Sequence, residues 1–185
     1  MKTKNFFNKQ NRFFLPACKS VILLFIFLFV IACGNKEQKS NFSTEGLVNL
    51  DLSKFGKPFS IFVPDTISSK LSVQEQSNGA LIIKVGNKFA ISINEFKADI
   101  ELKKQDIKDD EVNKFKAYIL EQPNAIIWKS QITHPECHFL MNVTVNNADY
   151  SIEDLHNDDN TTYSEEQIQR MYDSCKNLVE AQVKG

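Results

Sequence analysis

Glycine is scarce in this chain, six residues in 185, and the scarcity excludes chemistry as well as bends. A phosphate-cradling loop needs clustered glycines so that backbone N–H groups can approach the anion, and no such cluster occurs. Neither a G-x-S-x-G nucleophile turn nor an H-E-x-x-H zinc pair is present, which removes two common hydrolase signatures. Positive charge is not in excess either, with 22 Lys and Arg against 23 Asp and Glu. All five charges ahead of Cys33 are basic (Lys2, Lys4, Lys9, Arg12 and Lys19), so the chain from Cys33 onward has 17 basic and 23 acidic residues, a net of −6. That balance argues against nucleic acid as a partner. Long apolar runs are missing too. The longest, Val21 to Ala32, has 12 residues, where roughly 20 are needed to span a bilayer core.

The surroundings of that short run explain it. A basic segment, a short apolar core and an abrupt polar break, in that order, form the pattern of a secretory signal. Its end, Val30-Ile31-Ala32-Cys33, resembles the lipobox of bacterial lipoproteins: an aliphatic residue, two permissive positions, then an obligatory cysteine. Ile31 is bulkier than the residue usual at its place. The resemblance implies that residues 1–32 are a signal peptide that is cut away. It also implies that Cys33 carries the lipid (palmitate among its chains) and anchors the protein in a membrane. Gly34 to Gly46 reads GNKEQKSNFSTEG, too polar to offset its own ordering entropy, so residues 33–46 are expected to form a tether. Gly rather than Asp after Cys33 lacks the inner-membrane retention signal of that family. The expected place is therefore the outer membrane of the cell envelope, facing the periplasm or the cell surface. Frequent Asn, Lys, Ile and Phe resemble the usage of Bacteroidota lipoproteins.

Residues 47–185 have the length of one domain with one core. Asn78-Gly79, Gly86-Asn87 and Asn146-Asn147 interrupt apolar runs and supply the positive φ angles of hairpin turns. In KFAISINEF, Phe89, Ile91 and Ile93 alternate with smaller or polar residues, which marks a strand with one apolar face. Further strands are expected over Phe59–Val63, Ala125–Ile132, Cys137–Val145 and ADYSIED. Ile107, Val112, Phe115 and Ile119 fall at helical spacing, so Asp106–Glu121 is expected to be a helix closed by Pro123. Ser164-Glu165-Glu166-Gln167 reads as a capping box opening a second helix, whose apolar residues Ile168, Met171, Tyr172, Cys175, Leu178 and Val179 form one stripe. The expected class is α+β, one antiparallel sheet in the order β-βββ-α-βββ-α with helices packed on it. That order, with PFSIFVPD near the start and YSEEQIQRMYDSCKNL near the end, resembles small lipoproteins of the PsbP-like fold. The family carries no catalytic residue to transfer, and its members bind or assist other proteins.

The candidates for chemistry are few. In HPECH, His134, Cys137 and His138 have zinc-ligand residue types, yet an extended strand sends Cys137 and His138 to opposite faces. Solvated strand-end histidines are the expected reading. In DLHNDDNTTYSE, Asp154, Asp158, Asn160 and Glu165 fall near the positions of a calcium loop. Asp159, however, stands where the sharp turn needs glycine, so no metal is expected. Trp128, the sole tryptophan, reads as a sheet-face residue. Asp65-Thr66-Ile67 resembles the O-glycosylation sequon of Bacteroidota, with Thr66 as acceptor. Cys18 leaves with the signal and Cys33 is lipidated, so Cys137 and Cys175 remain, each on an apolar face. In an oxidising compartment they are a candidate disulfide, worth roughly 3–4 kcal/mol for a loop of about 37 residues. The alternative is two buried thiols filling apolar space. The expected function is a lipid-anchored, non-catalytic binding or accessory domain without cofactor, whose partner is an envelope protein. An immunity-type inhibitor of an envelope toxin and a hydrolase with a dispersed site remain the alternatives.

Overall fold

Ten strands and two α-helices arise over the described residues, 42–67, 69–156 and 162–181 of a computed structural model. Phe42–Gly185 forms one structural unit. The order is β1 (Leu47–Asp51), β2 (Phe59–Pro64), β3 (Leu71–Glu75), β4 (Leu81–Val85), β5 (Phe89–Asn94), α1 (Ile100–Asp109), β6 (Lys114–Gln122), β7 (Ala125–Gln131), β8 (Pro135–Val145), β9 (Ala148–Asp154), α2 (Glu165–Lys176) and β10 (Val179–Glu180). Seven strands form one sheet in the order β3-β4-β5-β9-β8-β7-β6, and β1-β2-β10 form a second. Every pairing is antiparallel. The α+β class holds, but two sheets stand where one was expected.

Turn chemistry sets the local register. Val145 pairs with Ala148, so Asn146 and Asn147, with φ of 50° and 64°, make a two-residue turn. Paired left-handed residues match the twist of a hairpin. The other two turn signals sit in longer loops. Gly79 (φ 83°) lies in a loop closed by the Gln76 N–H to Ala80 carbonyl bond of 2.8 Å, and Gly86 (φ 55°) opens a loop of three residues between Val85 and Phe89.

The large sheet is covered on both faces. On one, Ile83, Ile91, Phe139 and Ile152 meet β2 (Phe59, Ile61, Val63) and the α2 stripe of Ile168, Met171, Tyr172 and Cys175 in the main core. On the other, Ile100 and Ile107 of α1 pack on Ile126, Trp128 and Leu140. Strand β7 is thus buried on both faces, which is why AIIW is a continuous apolar run. The capping box of α2 forms as read. The Ser164 Oγ accepts from Gln167 N–H at 3.2 Å, and the Gln167 side chain accepts from Ser164 N–H at 2.9 Å.

The helix expected over Asp106–Glu121 does not form. Helix α1 lies earlier and ends at Asp109, because the Asp110 carboxylate accepts from the N–H groups of Val112 and Asn113, both at 2.8 Å, and turns the chain. Lys114–Gln122 is instead an edge strand with two register irregularities. These put Phe115 and Tyr118 on the α1 side and Leu120 on the main core. Bulges thus give a strand the three-residue spacing of a helix. Strands β1 and β10 were not foreseen. Helix α2 stops at Lys176 because the Asn177 side chain donates to the Asp173 carbonyl at 2.8 Å, so Val179 belongs to a strand. No helix among the described residues is long and apolar enough to cross a membrane.

Phe139 is fully buried, whereas Ile67 is 95% exposed. Phe139→Ala is expected to cost about 3–5 kcal/mol of unfolding free energy and Ile67→Ala within about 0.5 kcal/mol of nothing. Urea denaturation of both variants checks this, and comparable losses would contradict the assigned core.

Candidate functional site

Strand alternation on β8 builds the site. Cys137, Phe139 and Met141 turn to the main core, while His138, Leu140 and Asn142 turn toward α1. Asn142 fixes the helix. Its Nδ2 donates to the Ala98 carbonyl and its Oδ1 accepts from the Ala98 N–H, both at 2.9 Å, so one amide holds both backbone groups just before α1. Asp99 then caps the helix by accepting from Leu102 N–H at 3.0 Å. Between α1 and the sheet lies a cavity of about 370 Å³, with Lys103, Asp106, Trp128, His138, Glu153 and Asp154 in its wall.

The ladder between β8 and β9 ends at Leu140–Glu153. One residue further, the Asp154 side chain continues it: Oδ1 accepts from Phe139 N–H at 2.7 Å, and Oδ2 lies 2.9 Å from His138 Nδ1. The imidazole is only 13% exposed. Its ring centroid lies 5.3 Å from that of Trp128 and 5.7 Å from that of His156, and its Nε2 lies 3.5 Å from Glu136 Oε2. Lys103 Nζ sits over the Trp128 ring at 5.6 Å.

Charge is tuned in opposite senses around this cavity. Burial pushes the His138 value down, but the Asp154 hydrogen bond and charge, then the Glu136 charge, outweigh it and raise it above that of a free imidazole. Burial raises the Glu153 carboxyl, with Lys103 partly opposing. Asp110 is held below the usual carboxylate range by the N–H groups of Asn113 and Val112. Among the described residues no Ser, Thr or Cys lines the cavity. The His138 nitrogen that would activate a nucleophile faces a carboxylate instead, so the Asp154–His138 pair lacks the third member of an acyl-transfer triad.

Several expectations resolve here. Cys137 and His138 do point to opposite faces, and among the described residues no group of three His, Cys, Asp or Glu side chains could hold a metal. His134 is exposed, but His138 is not the solvated histidine expected, because β8 continues through it under α1. Of the calcium-loop candidates, Asp154 is committed to Phe139 and His138. Glu165 pairs with Lys129 at 2.7 Å. Asp158 and Asn160 lie outside the described residues, as does Cys33. Trp128 sits on the sheet face under α1, 7% exposed. In the Asp65-Thr66-Ile67 turn, Asp65 Oδ1 accepts from Ile67 N–H at 3.0 Å, and Thr66 is half-buried. The sequence reading missed the grouping of Glu136, His138 and Asp154. Its signal was present: Glu136, His138, Asn142 and Thr144 put polar side chains on one face of β8, interrupted only by Leu140.

Cys137 and Cys175 are both buried in the main core, as expected, and both stand there as free thiols. Burial raises both thiols above the ordinary range, which suppresses the reactive thiolate. In a chain carrying Cys18→Ser and Cys33→Ser, iodoacetamide without reductant is expected to leave the folded protein unmodified. After denaturation it should add two groups, read by intact mass. No addition after denaturation would mean a disulfide. The chain matches no protein-family model, no curated protein and no solved structure.

Proposed function

We propose that this chain is a lipid-anchored envelope protein whose folded domain is a binding module, with the cavity under α1 as its binding site. That cavity carries the reading. It is of small-ligand size, and Ile107, Trp128 and Leu155 wall it together with eight polar or charged residues, among them Lys103, His138 and Glu153, a lining suited to a polar ligand. The lipobox-like Val30–Cys33 segment and the polar stretch Gly34–Gly46 support anchoring at Cys33 in the outer membrane. A sheet covered by one helix on each face supports the PsbP-like reading, in which accessory and binding roles predominate. The exposed turn at Ile67 leaves Thr66 within reach of a glycosylating enzyme.

Two measurements test this. Cys33→Ser is expected to abolish metabolic labelling with palmitate and to release the protein from membranes; survival of both sinks the anchoring. A photo-crosslinking residue placed at Asp106, on the cavity rim, is expected to capture an envelope component in cells that the same residue at the exposed Glu75 does not. Identical adducts from both positions, or none, would remove the cavity from the proposal. A second reading, a hydrolase, draws on the several carboxylates beside His138. Turnover of an envelope ester or glycoside, lost in a folded Glu153→Gln variant, would favour it.

A further inference from the structure

Asn113 Oδ1, in a residue that lines this cavity, is buried with no hydrogen-bond partner, and so are two atoms of the His138 group, Nε2 of His138 and Oε2 of Glu136. The last two face each other at 3.5 Å. Buried polar atoms are paired almost without exception, because each has given up its water. Here the other ring nitrogen is already committed. Nδ1 is 2.9 Å from Asp154 Oδ2, and Asp154 is fixed in turn by the Phe139 N–H on its other oxygen. An ionised carboxylate only accepts, so the hydrogen between Nδ1 and Oδ2 belongs to the ring. A neutral ring would then aim a bare Nε2 lone pair at the lone pairs of Glu136, two acceptors with nothing to share. One proton on Nε2 converts both orphans into a single charge-assisted hydrogen bond and leaves a cation between two anions.

The place of this group gives the proton leverage. Beyond the last β8–β9 pair, Leu140–Glu153, Asp154 is the tie between the start of β8 and the end of β9. We propose that His138 is a proton-operated clamp: protonated, it is a cation held between Glu136 of β8 and Asp154 of β9, and on losing the proton it releases Glu136 and keeps only a neutral Nδ1–H bond to Asp154, which loosens the β8–β9 tie in this wall of the cavity. The inference holds whatever occupies the cavity, since it rests on the protein's own groups. The charges around the ring are mainly of one sign: Glu136 on its own strand, Glu153 and Asp154 on β9, Asp106 on α1 and Asp110 just after it, opposed by Lys103 of α1. His156 follows β9, and uncharged Trp128 represents β7.

The sign of the pH effect follows from the raised value of His138. Its contribution to stability is fully present below the unfolded histidine value of about 6.5 and is lost as pH rises through the folded value. Glu153, also raised, acts in the same direction but starting from the carboxylate range, so a His138 variant separates the two. The test uses the full chain in detergent, labelled with ¹⁵N-histidine and titrated from pH 5 to 9. His138 is expected to show protons on both ring nitrogens at pH 6 and a midpoint above the free-imidazole value of about 6.5, with Glu136→Gln lowering the midpoint. Trp128, the sole tryptophan, is expected to change fluorescence at that same midpoint in the native chain and not in His138→Gln. Phe139 amide protection, corrected for intrinsic exchange, should fall between about pH 6.5 and that midpoint and level off above it. The fall is about tenfold for each pH unit by which the midpoint exceeds the free-imidazole value. A singly protonated His138 at pH 6, a midpoint at or below the free-imidazole value of about 6.5, or a fluorescence step that persists in His138→Gln would overturn the clamp. Unchanged Phe139 protection between pH 6 and pH 9 would overturn it as well. Should His138→Gln fail to fold, Glu136→Gln carries the same decision through its midpoint and the Phe139 amide.

Discussion

Four residue pairs, from Ile91–Asp154 to Asn94–Ser151, join two meanders that would otherwise be separate sheets. Strands β3–β5 are local hairpins, and so are β6–β9, but β5 and β9 are more than fifty residues apart in the chain. Their pairing creates a seven-stranded surface wide enough to take β2 and α2 on one face and α1 on the other. Without that seam, Ile83 and Ile91 would be parted from Phe139 and Ile152, and the main core would split between the two meanders.

The two faces of the sheet use different physics. The main core is apolar and close-packed, from Phe59 and Ile61 across to Phe139 and Ile152. It derives its strength from area removed from water. The α1 face mixes a smaller apolar cluster with polar ties: Asn142 to Ala98, Asp154 to Phe139 and His138. Such ties contribute modestly as net energy but are costly to break when buried. They therefore specify position more than they add stability, and position is what a recognition site requires. A ring held between two carboxylates is the point at which that face responds to its surroundings.

The cysteines show how burial and chemistry diverge. Cys137 on β8 and Cys175 on α2 reach the same core, as their periodicities require, yet they stand there as thiols. Periodicity states which face a side chain takes. It does not state whether two sulfurs on facing elements meet within the roughly 7 Å Cα separation that a bridge requires.

By itself the sequence determined what depends on near neighbours. That includes the α+β class, the strands with clean two-residue alternation such as Phe89–Ile93, the capping box at Ser164, and the opposition of Cys137 and His138 across one strand. It failed where a distant contact overrode the local signal. Lys114–Gln122 carries helical spacing but is a bulged strand, because β7 offers hydrogen bonds to its edge and α1 covers Phe115 and Tyr118. Strands β1 and β10 exist only because β2 lies between them. The grouping of Glu136, His138 and Asp154 likewise needed tertiary structure. Alternation put the first two on one face, but only the β8–β9 register, terminating at Leu140–Glu153, brings the Asp154 carboxylate onto the imidazole. Local pattern sets direction, and long-range pairing sets distance.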